Sequence, residues 1–164
     1  MVKPIFNIHW AVVAGLLVVA GCGGGDKSTK LLQKLNDSNI KRVSMLYTVF
    51  QGQHGMKGPK DENELKDFIS SRGSKALARI GVSSDNIQSL FVSERDDEPF
   101  KIRYGLKTNS RQPPVPIVFE SVGVEDKFMV AFSGFVCKEV DKATYDQLWE
   151  GEEHKANTAA RGVR

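Results

Sequence analysis

The stretch that most limits how this chain can fold is an apolar run near its start, from Trp10 to Ala20. A helix that crosses a bilayer needs about 20 largely apolar residues, and extension toward the start meets Asn7, His9 and Pro4. The run does fit the apolar region of a signal peptide, which is about 7 to 15 residues long. A short head carrying Lys3 precedes it, Val19-Ala20-Gly21 closes it, and Cys22 follows. An ordinary signal peptide and a retained membrane anchor are competing readings of such a run. On any signal reading, the first 21 residues take no part in the fold.

An apolar core, then small residues, then a cysteine resembles the lipobox of bacterial lipoproteins. The resemblance implies cleavage before Cys22 and attachment of its sulfur to diacylglycerol. It places the domain outside the cytoplasm, held by lipid at the cell membrane or the outer membrane. Gly23 stands where an Asp would retain such a protein at the inner membrane, so the outer membrane is favoured. One acyl chain binds a bilayer marginally, whereas two or more hold a protein stably. Residues 22–29 then comprise the lipidated cysteine and a polar, glycine-rich leash. From Gly23 to Thr29 it reaches roughly 25 Å at ~3.3 Å per residue, which keeps the domain beside the lipid. Lys27, Lys30 and Lys34 fit contact with anionic head groups at about 1 kcal/mol each. They fit a solvated helix face equally well.

Loss of residues 1–21 removes Lys3 and leaves 143 of 164 residues, with 22 basic against 20 acidic side chains. Such a balance gives no clustered basic footprint for nucleic acid. Residues 30–150 are long enough for one ordinary domain with a real core, and residues 151–164 read as a polar, disordered tail. With Cys22 consumed by lipid, Cys137 is left alone in an apolar strand pattern. A buried inert thiol is the plain reading; intermolecular pairing or reactivity is the alternative, and a reactive thiol needs an electropositive, exposed setting.

Hydrophobic period divides the rest. Leu32, Leu35, Val43, Leu46, Tyr47 and Phe50 share one arc at about 100° per residue, which predicts a helix over 30–50. Asn36 to Asn39 notch that arc. The helix either runs through the notch, the favoured reading, or restarts with Asp37 or Ser38 as cap. Gln51 to Lys60 is a loop punctuated by Gly52, Gly55, Gly58 and Pro59. Asp61 opens a short helix to Ser71, with Glu64 three residues on as a capping box requires, and Gly73 stops it. Helical turns follow over 74–80 and 85–90.

The period then falls to 2. Phe100, Ile102 and Tyr104 alternate with Lys101 and Arg103 as a half-buried strand, joined through the 95–99 turn to Leu90–Val92 as a hairpin. Further strands are read at 117–120, 128–132 and 135–140. Strands this close without helices between them imply an antiparallel sheet. Asp141 caps a closing helix to Trp149. The fold class is therefore α+β: N-terminal helices packed on a small antiparallel sheet, in two layers, with a closing C-terminal helix.

Convergent titratable groups are scarce. His54 sits in a glycine loop and His154 in the tail, so no histidine–cysteine metal cage can form. No serine occupies a Gly-x-Ser-x-Gly elbow, and no strand or spaced lysine makes Gly23-Gly24-Gly25 a phosphate cradle. No catalytic residue and no cofactor is assigned. The best remaining cluster is Glu94, Asp96, Asp97 and Glu98, oxygen donors of the kind calcium takes. Their spacing lacks the ladder of a dedicated calcium loop, Arg95 lies among them, and a solvated turn is the competing reading.

The tyrosine-bearing helix, the Gly/Pro loop and the short Leu-Phe helix of residues 46–68 precede Glu98-Pro99-Phe100-Lys101-Ile102-Arg103-Tyr104-Gly105. Over about residues 38–137 this order resembles the soluble heads of type IV pilins and type II secretion pseudopilins. In those heads a long helix lies against an antiparallel sheet. A lipobox stands where such proteins carry their assembly helix, so the resemblance does not extend to polymerisation. The chain also resembles small bacterial lipoproteins of unknown activity. The expectation is a non-enzymatic, membrane-tethered domain that contacts another envelope protein, accessory to secretion or pilus-like machinery. The alternative is an envelope module binding a small ligand or calcium through the 51–60 loop or the acidic turn.

Overall fold

The computed structural model describes residues 37–109 and 111–161, with backbone alone over 152–161. The signal peptide, Cys22, the leash and the first turns of the helix expected from residue 30 lie outside the described residues.

The first helix, α1, spans Asn39–Gln53. Ser38 precedes it with extended backbone, φ −133° and ψ 155°. A helix continuous through the Asn36–Asn39 notch is thereby corrected: the chain is extended at Ser38 and helical from Asn39. Ser38 supplies no capping bond. The cap comes instead from a distant carboxylate, since Asn39 N–H donates to Glu94 Oε1 and Oε2 at 2.9 and 3.0 Å. Ile40, Val43, Leu46, Tyr47 and Phe50 are buried along one side. At roughly 2 kcal/mol for each large apolar side chain, that face outweighs any cap term of about 1 kcal/mol. Packing, not capping, holds α1 in place. The helix also continues past Phe50, because Gln51 is buried and its Nε2 donates to the Leu106 carbonyl at 3.2 Å.

Helix α2 (Glu62–Ser71) begins at Asp61, whose carboxylate accepts from Glu64 N–H at 2.8 Å. It buries Leu65 and Ile69 against α1. Helix α3 (Ser74–Ala78) follows Gly73 and buries Leu77. The turn expected over 85–90 is a short 3-10 helix at Gln88–Phe91. Val92 then pairs with Pro99, and Phe100 N–H donates to Phe91 O at 3.0 Å, so the expected reversal through 95–99 is present.

The sheet comprises β1 (Lys101–Ile102), β2 (Pro116–Phe119), β3 (Lys127–Phe132) and β4 (Val136–Asp141). They lie antiparallel in the order β1-β2-β3-β4. β1 is shorter than the alternation of Phe100, Ile102 and Tyr104 suggested. The fold is α+β, with the helix α4 (Lys142–Arg161) closing the chain.

Two layers is the wrong count. All four residues of β2 are buried, and β3 sends alternate residues into two separate clusters. Met129 and Ala131 join the α1 side, with Val118 and Ile117. Phe128, Val130 and Phe132 join Phe119, Tyr145, Leu148 and Trp149 of the α4 side. A strand buried on both faces reads as a continuous apolar run rather than an alternating one, and Ile117-Val118-Phe119 is such a run. Helices therefore cover both faces of the sheet, α1 on one and α4 on the other. α4 extends to Arg161, beyond Trp149, where the apolar pattern ends.

Candidate functional site

The 93–98 turn meets the start of α1 and the end of β2, and a pocket of about 360 Å³ opens between them. Its walls are Ile40 and Lys41 from α1, Arg95 from the turn, Phe100 before β1, and Met129 from β3. Glu120, just past β2, lies at its floor with 1 % of its surface exposed. An ionised carboxylate this deep must be paired or hydrogen-bonded, since its desolvation otherwise costs several kcal/mol. Its partners are present. Oε2 accepts from Met129 N–H at 2.7 Å, and Oε1 accepts from the Ser93 hydroxyl at 3.2 Å. Arg95 Nε lies 3.6 Å from the same Oε1, and its Nη1 reaches Glu139 of β4 at 2.9 Å. The Glu120 carbonyl accepts from the Tyr145 hydroxyl at 2.7 Å, which binds α4 to the same point. Burial of Tyr145 lifts its hydroxyl pKa to about 12.

Glu120 and Arg95 are thus the groups around which two helices and two strands converge, and residue pattern did not single them out for any role. Glu120 reads in sequence as the last residue of an apolar strand. Only the bulge of β2 between Pro116 and Val118, and the register that sets Phe119 opposite Val130, bring its carboxylate under the turn.

The four carboxylates expected as a calcium cluster part company in space. Glu94 caps α1 and lies 3.5 Å from Arg42. Asp96 turns the other way and accepts from Val122 and Gly123 N–H at 3.2 and 2.8 Å. Burial works to raise its carboxyl, but the Gly123 and Glu98 amides, the Ser93 hydroxyl and the Val122 amide together hold it below the usual 3.8. Asp97 adopts φ +55°, and Glu98 is exposed. Neighbours in sequence become separate anchors of separate loops. No group of three or more histidine, cysteine or acidic residues is placed to hold a metal ion among the described residues.

His54 stacks on Phe50 with ring centroids 3.9 Å apart, and its Nδ1 lies 2.8 Å from the Phe50 carbonyl. It sits at the end of α1 above a shallow depression shared with Lys57, Lys60 and Glu64. The 51–60 loop is stitched down: Lys57 pairs with Lys107, Thr108 N–H donates to Met56 O at 2.9 Å, and Gly58 N–H donates to Leu106 O at 2.7 Å. Gly58 is required there, since a Cβ would fall 2.1 Å from the Tyr47 hydroxyl oxygen.

Cys137 is half-buried on β4 against the α1 side. Burial pushes its thiol pKa up, opposed by Lys41 and the Ser44 hydroxyl. That is the setting of a packing residue rather than of a thiolate.

Exposed large apolar side chains stand at two turns at opposite ends of β3. Val122 (61 %) and Val124 (37 %) lie between β2 and β3, while Phe135 (61 %) lies between β3 and β4 and Val136 (37 %) opens β4. Phe135 adopts φ +70°, a conformation that costs a non-glycine residue about 1 kcal/mol or more. Among the described residues no helix is long and apolar enough to cross a membrane. The chain matches no protein-family model, no curated protein and no solved structure.

Proposed function

We propose that this is a lipid-anchored envelope protein, held through Cys22, whose domain acts by non-enzymatic contact with another envelope protein, accessory to secretion or pilus-like machinery. Val19-Ala20-Gly21-Cys22 supports the tether. One observation carries the contact reading: Phe135 stands 61 % exposed at a hairpin tip, in a left-handed backbone conformation. A single exposed apolar residue needs no partner, but Phe135 stands next to exposed Val136 and is held at a conformational cost, which supports a contact surface at this tip. The test is a photo-crosslinking residue at position 135 in living cells, with the same residue at exposed Lys75 as control. A discrete adduct from 135 alone is expected. Equal, diffuse labelling from both positions would sink the reading.

The pocket above Glu120 favours a second reading, a small-ligand module. A thermal-shift panel of metabolites would support it by a saturable rise in melting temperature, and a flat response would count against it. Calcium finds less support, because Glu94 and Asp96 are each committed to backbone amides.

A further inference from the structure

Among the described residues β4 is one of the two edges of the sheet. Its strand neighbour there is β3, paired over six consecutive positions from Lys127–Asp141 to Phe132–Val136 without a register shift. Which of its backbone groups point outward follows from β3. Glu120 N–H donates to Met129 O, so Met129 turns its backbone toward β2. Alternation then turns Phe128, Val130 and Phe132 toward Val140, Lys138 and Val136. The amides and carbonyls of Cys137 and Glu139 consequently face away from the sheet. Natural sheets blunt such an edge with charged side chains, proline, a bulge or a covering element, and of these β4 carries only the charges of Lys138, Glu139 and Asp141. β4 has no proline and no bulge, and most of its residues are exposed.

Side chains define what fits. On the α1 side, Glu139 is paired with Arg95, and Asp141 accepts from Thr144 N–H at 2.8 Å at the start of α4. Both acids are committed. On the α4 side stand Val136, Lys138 and Val140. Lys138 lies over the Phe132 ring at 5.7 Å and makes no ion pair among the described residues. A second copy fits poorly. Two-fold antiparallel pairing centred on Lys138 or on Glu139 sets like charges opposite one another, and pairing centred on Cys137 sets Val136 against Lys138.

We propose that β4 takes an added strand from another protein, an extended segment with an acidic residue opposite Lys138 and apolar residues opposite Val136 and Val140. Outward amides supply the affinity and the three side chains the selectivity. This deepens the contact reading above and rests on it.

The probe is a fluorescent seven-residue peptide, threonine alternating with valine, glutamate and valine, titrated by anisotropy against the purified full-length chain. Saturable binding is expected, weakened roughly five-fold when lysine replaces the central glutamate. Lys138→Glu is expected to reverse that preference. Glu139→Pro removes an outward amide that no β3 bond uses and is expected to abolish binding. A peptide methylated on the amides that face β4 makes the same test without altering the protein's fold. No binding, indifference to the charge exchange, or full binding by the methylated peptide would overturn the assignment. Sedimentation showing concentration-dependent dimers lost in Glu139→Pro would give the edge to a second copy and overturn it equally. Peptide failure with Phe135 crosslinks intact removes the edge alone; absent crosslinks remove the broader reading.

Discussion

Replacing Glu120 with alanine leaves two donors, the part-buried Met129 N–H and the buried Ser93 hydroxyl, without their carboxylate. A buried donor left unmade costs roughly 1–3 kcal/mol. Arg95 adds little, because its side chain is 33 % exposed and retains Glu139 at 2.9 Å. Water entering from the adjacent pocket of about 360 Å³ can partly satisfy both donors. The sum therefore belongs at the lower end, about 3 kcal/mol, or a fall in Tm of roughly 10 °C for a domain this size. Glu120→Gln keeps an acceptor for Met129 N–H and is expected to cost about 1 kcal/mol. Urea unfolding followed by far-UV circular dichroism measures both. A Glu120→Ala variant within about 0.5 kcal/mol of wild type would refute the assignment of Glu120 as the joint of the fold. Equal losses in the two variants would show that the negative charge, which glutamine lacks while keeping shape and an acceptor, is what matters there.

Three further outcomes follow from single contacts. Gly58→Ala drives a methyl into the Tyr47 hydroxyl, which donates to Arg103 O at 2.8 Å; about 2–3 kcal/mol should be lost in urea unfolding. Glu94→Ala uncaps α1 and should cost about 1 kcal/mol, visible as faster amide exchange at Asn39 and its neighbours with the core unaffected. Asp96 has a lowered carboxyl pKa in the fold. Its stabilising contribution is therefore present above about pH 4 and is lost as pH falls through the lowered value. The protection factor of the Gly123 amide, its exchange relative to the intrinsic rate at each pH, should fall over that acid range in wild type and stay flat in Asp96→Asn.

What could be read from residues alone followed local chemistry. Asp61 and Glu64 announced α2, and the cap is made as spaced. The change of period at Phe100 announced the sheet, and the short connections after Phe119 left β3 and β4 room only for antiparallel pairing. The errors came from long-range placement. Ser38 looked like a cap, but Glu94, 55 residues away from Asn39, does that work. The layer count failed because Met129 and Ala131 pack on one face of the strand while Phe128, Val130 and Phe132 pack on the other, a two-sided burial that the strand's range alone does not reveal. Adjacent carboxylates suggested one cation, yet Glu94 turns to the start of α1 and Asp96 to the Val122 and Gly123 amides. Glu120 was illegible because a strand's last residue carries no sign of which loop will fold over it.

The account stands most directly on the chemistry of Cys22. Cells grown with radiolabelled palmitate are predicted to incorporate label into the wild-type chain and none into Cys22→Ser, with the wild type alone fractionating with membranes. Wild-type protein recovered without label, or Cys22→Ser labelled as strongly, would contradict it.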